Sequence, residues 1–420
     1  MFLLLVGVAF AFAFSSTTST GGYSNSEQTL YGVTLLLSCL MVVLGFGLLL
    51  GYYGQNLMTG IFSALFTVSL TLLLSPLLQK LCLGVFLNGF KGLTADLAPT
   101  YLLYTASPNS QIGINYTNLK LALNCAISLL LVQLAMVGRL KVYTTLYSSL
   151  TLILGWNANY ALCVSLMRRS ADVRFFDDYS VGMVYLFGGV AALLISLDVK
   201  SPLRLKQSHK QKGYPRMVAY LGVFFMWMSF ALTSPLLGTK QNTASPQAPL
   251  LPTTVFYPHG CIAIFFALSS ATLTTAALSP PKIRLTDLML GSLSGAIAFG
   301  PVASYVSNIA APIAVGTGGA LITVLYKVAL WPRINKDYCH DALGSLGPIF
   351  GSALLGSALV SPLTIFAYER HSLSSNTAMD GEIDSKNSPY WMLIYAGVSL
   401  GVGLVTAMVT ATIIRCADGN

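Results

Sequence analysis

Charge is what this sequence has least of. Asp, Glu, Lys and Arg make up 9% of its residues, while 55% are hydrophobic and the mean hydropathy is +0.70. A chain this short of charge cannot cover a water-facing surface, which excludes an ordinary soluble domain and points to the bilayer as solvent. Histidine is also scarce: the four residues His209, His259, His340 and His371 include no pair at the i, i+4 spacing of a helical metal site. The seven cysteines are odd in number and scattered, and they form neither a disulfide framework nor a metal cluster. There is no G-x-x-x-x-G-K-[ST] loop, no nucleophile elbow and no pair of catalytic carboxylates, which argues against an enzyme and calls for no cofactor. The net charge of +9 would point to nucleic acid in a soluble protein. In a membrane chain it reads as topology setting and contact with anionic lipid headgroups, with no nucleic acid implied.

What the sequence has in quantity is long apolar stretches. Twelve are separable, at 2–14, 31–53, 60–78, 119–137, 142–166, 181–197, 217–237, 255–278, 285–309, 313–330, 346–368 and 390–414. Most reach the ~20 residues that a helix needs to cross a bilayer. The expected fold class is therefore an all-α polytopic membrane protein with about 12 transmembrane helices. The first stretch is short and is followed by Ser15, Ser16, Thr17 and Thr18, so it reads either as a retained helix or as a secretory signal; the lack of a basic n-region favours the helix.

Lys and Arg in the loops set the orientation. With the N-terminus inside, the cytoplasmic side receives 14 of them and the outer side, Lys80, Lys91 and Lys120 included, receives 9. Six fall between Lys200 and Arg216, in a basic cytoplasmic loop at 199–216. Both termini are then cytoplasmic. Segment 79–118 becomes an extracellular loop that carries the glycosylation sequon at Asn115, and 369–389, with Asp380, Glu382 and Asp384, a polar extracellular loop.

The order of short motifs resembles a known family. Gly45-Phe46-Gly47-Leu48-Leu49-Leu50 is similar to the GFGFLM of the Rhesus (Rh) branch of the ammonium transporter superfamily. Val137-Gly138-Arg139, Trp156-Asn157-Ala158-Asn159-Tyr160, Tyr185-Leu186-Phe187-Gly188-Gly189 and Phe225-Met226-Trp227-Met228 follow in the family's order. Leu325-Tyr326-Lys327 and Gly344-Ser345-Leu346-Gly347-Pro348-Ile349 complete the series. The resemblance implies two inverted halves of five helices each, one pore per protomer, and a homo- or heterotrimer with Rh-type subunits, most simply in the plasma membrane. The substrate it implies is ammonia or ammonium, with CO2 as a further small solute.

Members of that family recruit ammonium at an aromatic, carboxylate-supported vestibule, remove a proton and pass neutral ammonia along a pore lined by two histidines. Desolvating the ion in hydrocarbon would otherwise cost several kcal/mol or more. By resemblance, the histidine positions hold Tyr185 and Gly344 here. Imidazole titrates near 6.5 and exchanges protons at neutral pH; a tyrosine titrates near 10, and glycine has no side chain. The inner-half phenylalanine gate falls at Asn124, a second family phenylalanine at Thr233 and a family glutamate at Asn159. Asp177 keeps the spacing of the family's vestibule carboxylate, eight residues before Tyr185; a solvated acid beside Asp178 is the plainer reading. Phe187, Trp227 and Phe230 complete the expected path, where the aromatic faces of the last two would stabilise a cation by about 0.5–2 kcal/mol.

His340 and Asp341 lie about one turn before Gly344, so either could replace the missing base; a helix entrance in water is the plainer place for them. Asn124, Gln133, Asn157 and Asn159 read as helix-packing residues before pore-lining ones. The blood-group Rh polypeptides also carry a tyrosine at the first histidine position and serve as structural partners. Two functions follow from the resemblance: a weakly or non-conducting structural or regulatory subunit, or a relay-free channel for ammonia, ammonium or CO2.

Overall fold

In lipid every backbone N–H and C=O must be bonded within the protein, so apolar runs of this length become helices. The computed structural model describes residues 38–53, 57–88, 116–136, 142–169, 177, 180–198, 213–232, 238–239, 252–253, 258–278, 285–303, 306, 308–330, 332, 346–359 and 388–418. Helix α1 opens with α-helical residues 38–40, passes through a π-helical stretch, Met41–Phe46, and continues as Gly47–Tyr53. Then come α2 (Leu57–Asn88), α3 (Tyr116–Met136) and α4 (Val142–Arg169). Helix α5 is a π turn, Gly182–Leu186, followed by Phe187–Asp198. Helix α6 is Gly213–Leu232, α7 Pro258–Leu278, and α8 Leu285–Phe299 with a 3-10 turn at Gly300–Val302. Helix α9 is Ala310–Leu325 with a π turn at Tyr326–Leu330, α10 is Leu346–Leu359 and α11 is Ser388–Asp418. Between α6 and α7 two-residue strands, β1 (Gly238–Thr239) and β2 (Pro252–Thr253), pair antiparallel.

These helices coincide with the expected spans from the second onward, and the first, 2–14, lies outside the described residues. Four loop boundaries differ: α6 starts at Gly213, inside the segment expected as a loop at 199–216, α11 starts at Ser388, inside 369–389, and both ends of 79–118 shift. The stretch expected to end at 78 continues as helix to Asn88, through Lys80 and around Pro76, ten residues into the segment expected to be a loop from 79. Helix α3 begins at Tyr116, inside the segment assigned to the same loop, and this places Lys120 within the bundle.

The pattern of neighbours repeats. In the first half α2, α3 and α4 pack mutually, α1 lies on α2 and α3 on α5; in the second α7, α8 and α9 pack mutually and α6 lies mainly on α8 and more lightly on α7. A Cβ on Gly356 of α10 would meet the Ala298 carbonyl of α8 at 2.5 Å, which supplies the counterpart of the α3–α5 contact. A half built from five helices in series crosses the membrane an odd number of times, so the second half runs inverted relative to the first. The halves meet where α1 crosses α6. A Cβ on Gly222 would lie 2.7 Å from the Gly45 carbonyl oxygen, so the two backbones touch. They meet again at α5 and α10, where a Cβ on Gly189 would sit 3.1 Å from Phe350. Helix α11 straps the first half, lying along α4 and α5.

Burial follows this plan. Helix α3 is central, with Leu121, Cys125, Leu129 and Leu130 all buried. Helices α2, α7, α9 and α11 turn Phe62, Leu73, Leu273, Leu325 and Met408 outward, as a lipid-facing surface requires. The polar residues inside stitch helices together. Gln133 of α3 donates to Thr67 and accepts from Ser63 of α2, and Asn157 of α4 accepts from Ser75 of α2 at 3.1 Å. Near the ends of α8 and α9, Lys327 and Asp287 form a 2.8 Å ion pair.

Candidate functional site

The site gathers where α3, α5, α6 and α11 converge. The turn that begins α5 is organised by Asp177. Its carboxylate accepts the backbone N–H groups of Val181 (2.6 Å) and Gly182 (2.9 Å) and the Tyr395 hydroxyl of α11 (2.9 Å). Those amides are the orphan donors of a helix start, so the acid acts as an N-cap. Asp177 is 1% exposed, and this corrects the reading of a solvated acid. Between cap and helix, Ser180 takes φ 50°, a left-handed conformation that costs a non-glycine residue about 1–3 kcal/mol. Gly182 is required for space: a Cβ there would stand 2.5 Å from Cε1 of Tyr395.

Tyr185 follows within the π turn. Such single-turn bulges occur frequently at functional sites because they reset the direction of side chains. Trp156 of α4 supports the turn by donating to the Met183 carbonyl at 3.1 Å. The Tyr185 side chain is buried against Phe230 of α6, with ring centroids 5.6 Å apart and planes inclined by 54°. Its hydroxyl bonds to none of the described residues. The ring therefore fills space at this level and is not held as a proton donor or acceptor.

The expected path residues divide into three groups. Tyr185 and Phe230 are brought into contact, and Trp227 lies one turn from Phe230 on α6, stacked on Phe224 at 6.5 Å. Asn124 stands on α3 one turn before Ser128, whose hydroxyl donates to the Val184 carbonyl at 3.3 Å. The Asn124 amide bonds to none of the described residues and keeps 7% exposure. It thus differs from the packing asparagines.

Phe187 and Asn159 belong elsewhere. Two helical positions beyond Tyr185, Phe187 points away from it and is wholly buried, and α11 comes against its backbone at Gly403. Asn159 donates to Ser399 of α11 at 3.3 Å and accepts from Cys163 at 3.7 Å, which makes it a tie between helices. The remaining expected residues, Thr233, His340, Asp341, Gly344 and Asn115, lie outside the described residues.

Sequence reasoning missed Tyr395, the α11 hydroxyl on Asp177. It offered no signal, because hydroxyl residues in an apolar helix are common.

Among the described residues, no group of three or more His, Cys, Asp and Glu side chains could hold a metal ion. The assembly is a helical membrane protein of the channel and transporter class, with its aromatic pair between two inverted halves. The profile of the Ammonium Transporter Family matches residues 1–419, and the chain belongs to that family, one of channels and transporters. Its fold is similar to that of Rh50 of Nitrosomonas europaea, described as a conducting channel of the Rhesus protein family: 18% identity over 94% of this chain and 90% of that one, TM-score 0.65. It is similar also to a sensor Amt protein (13% identity, 100% and 95% covered, TM-score 0.64) and to Mep2 of Saccharomyces cerevisiae (15% identity, 93% and 87% covered, TM-score 0.58). No curated protein sequence matches the chain.

Proposed function

We propose that this protein is an Rh-branch member of the family that keeps the fold but carries little or no net ammonium flux. It serves as a structural or regulatory subunit of a homo- or heterotrimer in the plasma membrane, with both termini cytoplasmic and Asn115 available for glycosylation outside. The observation that carries this reading is Tyr185, buried against Phe230 at the first proton-exchanging position of the family. A tyrosine titrates near 10 and stays protonated at pH 7, so it cannot receive the proton that ammonium must shed. With Gly344 at the second position, the relay has neither of its bases.

The test is stopped-flow internal pH in proteoliposomes exposed to an ammonium gradient, with empty liposomes and a Tyr185→His/Gly344→His double variant alongside. The natural protein is expected to match empty liposomes. Uptake above that baseline would overturn the reading.

A second reading, a relay-free channel for neutral ammonia or CO2, draws support from Asn124. A polar side chain bonded to none of its described neighbours fits a path through which small neutral molecules pass. CO2-driven acidification in the same proteoliposomes tests it.

A further inference from the structure

A serine inside a helix ordinarily returns its hydroxyl to a carbonyl about one turn back, as Ser292 does to Met289 (2.8 Å) and Ser270 to Ala267 (3.0 Å). Ser294 of α8 and Ser352 of α10 depart from this. They are 1% and 0% exposed, and neither hydroxyl bonds to any described residue. A buried hydroxyl in that state is costly, so each calls for a partner. Helix contacts bring the two together. A Cβ on Gly347 of α10 would meet the Tyr326 ring of α9, one on Gly351 would stand 2.8 Å from Ile322, and one on Gly318 of α9 would stand 3.3 Å from Leu355. Partners that descend on one helix as they rise on the other make α9 and α10 antiparallel. Asp287 with Lys327, and Gly295 with Gly319, make α8 and α9 antiparallel in the same way. Helices α8 and α10 are therefore parallel, and the two registers put Ser294 within one residue of the level of Ser352. The contact of Gly356 with Ala298 agrees, because each serine stands one turn before it on the same row of its helix. At this level α9 contributes Gly319 and Ala320, so the side chains gathered here are all short.

We infer that Ser294 and Ser352 together hold one small neutral molecule that both donates and accepts hydrogen bonds, water or ammonia, in the seam between α8 and α10. A hydroxyl offers one donor and two lone pairs, so a molecule of this kind bonds to both serines at once. In the first half the corresponding seam is tied directly, by Ser128 of α3 donating to the Val184 carbonyl of α5 at 3.3 Å. In the second half the bound molecule completes the tie. Ser352 lies two residues beyond Phe350, which touches Gly189 of α5, and positions two apart face different sides of a helix. The site is thus on the side of α10 turned from α5, and it holds its molecule whether or not the protein conducts.

The test reads stability and occupancy in the full-length, detergent-purified protein. Ser294→Ala and Ser352→Ala are each expected to lower the melting temperature by about 2 °C, because the held molecule loses a partner, and the double variant to fall by less than the sum. Hydroxyls that hold nothing give the opposite sign: each alanine removes a buried group without a partner, the melting temperature rises and the two effects add. That result would overturn the inference. An experimental density map of the natural protein that is empty between the two Oγ atoms would overturn it too, whether or not the variants fold. Replacing potassium by ammonium at constant ionic strength and mildly alkaline pH tells the two molecules apart. A rise in melting temperature that disappears in Ser352→Ala identifies ammonia, and equal melting temperatures in the two salts identify water.

Discussion

Tyr395 donates a 2.9 Å hydrogen bond to Asp177 from a helix 218 positions away in sequence, and so ties the last helix to the first turn of α5. A charged acceptor gives such a bond about 1.5–3 kcal/mol, and removing the donor leaves a buried carboxylate short of a partner. Tyr395→Phe should therefore lower the melting temperature of the detergent-purified protein. Asp177→Asn combined with Tyr395→Phe should destabilise by less than the sum of the two single changes. Additive effects would show that the bond carries no weight.

The crossing of α1 and α6 offers a comparison between two glycines. A Cβ on Gly45 would meet Cγ of Met226 at 2.6 Å, an atom of a flexible side chain, whereas one on Gly222 would meet the Gly45 backbone oxygen. Cγ of Met226 can move with a change of χ1, which a backbone carbonyl cannot match. Gly222→Ala should cost about 1–3 kcal/mol and Gly45→Ala less, read as thermal melts of the two variants.

Ser180 is the place where a substitution should help. Its hydroxyl is buried without a described partner and its backbone is left-handed. Ser180→Gly removes that strain, partly offset by the greater freedom of glycine in the unfolded chain, and should raise stability by up to about 1 kcal/mol. Ser180→Val, β-branched, should lower it. A fall on glycine substitution would refute the strain argument.

If the Tyr185–Phe230 pair closes the path, trimming one ring should open it. Phe230→Ala is expected to raise the permeability of proteoliposomes to neutral ammonia above that of the natural protein, at the cost of about 3–5 kcal/mol of stability for an emptied core site. Unchanged permeability in a folded Phe230→Ala protein would place the closure elsewhere.

Much of the fold was legible because apolar runs of the length of a bilayer leave the backbone one local solution. The ends were less so. Lys80 looks like the start of a loop, yet Leu81, Cys82 and Leu83 beyond it are apolar and the helix continues through them. The exposure of Asp177 could not be read from its neighbours, because its three donors come from a helix start and from α11. Nor does any residue pattern announce the π turn at Gly182–Leu186, which decides where Tyr185 points. The family resemblance put Tyr185 and Phe187 in one path, whereas residues two apart on a helix point to different sides. Asn124 and Asn159 look alike in sequence, and only the neighbours reveal that one ties helices together and the other does not.

The contact of Gly222 with Gly45 bears on how anything could cross this protein. Two domains that rock against each other need side chains between them that can slide and repack, and here main chain rests on main chain. The separation of the two halves at this crossing is therefore set by backbone contact, and any side chain added at Gly222 would have to push them apart.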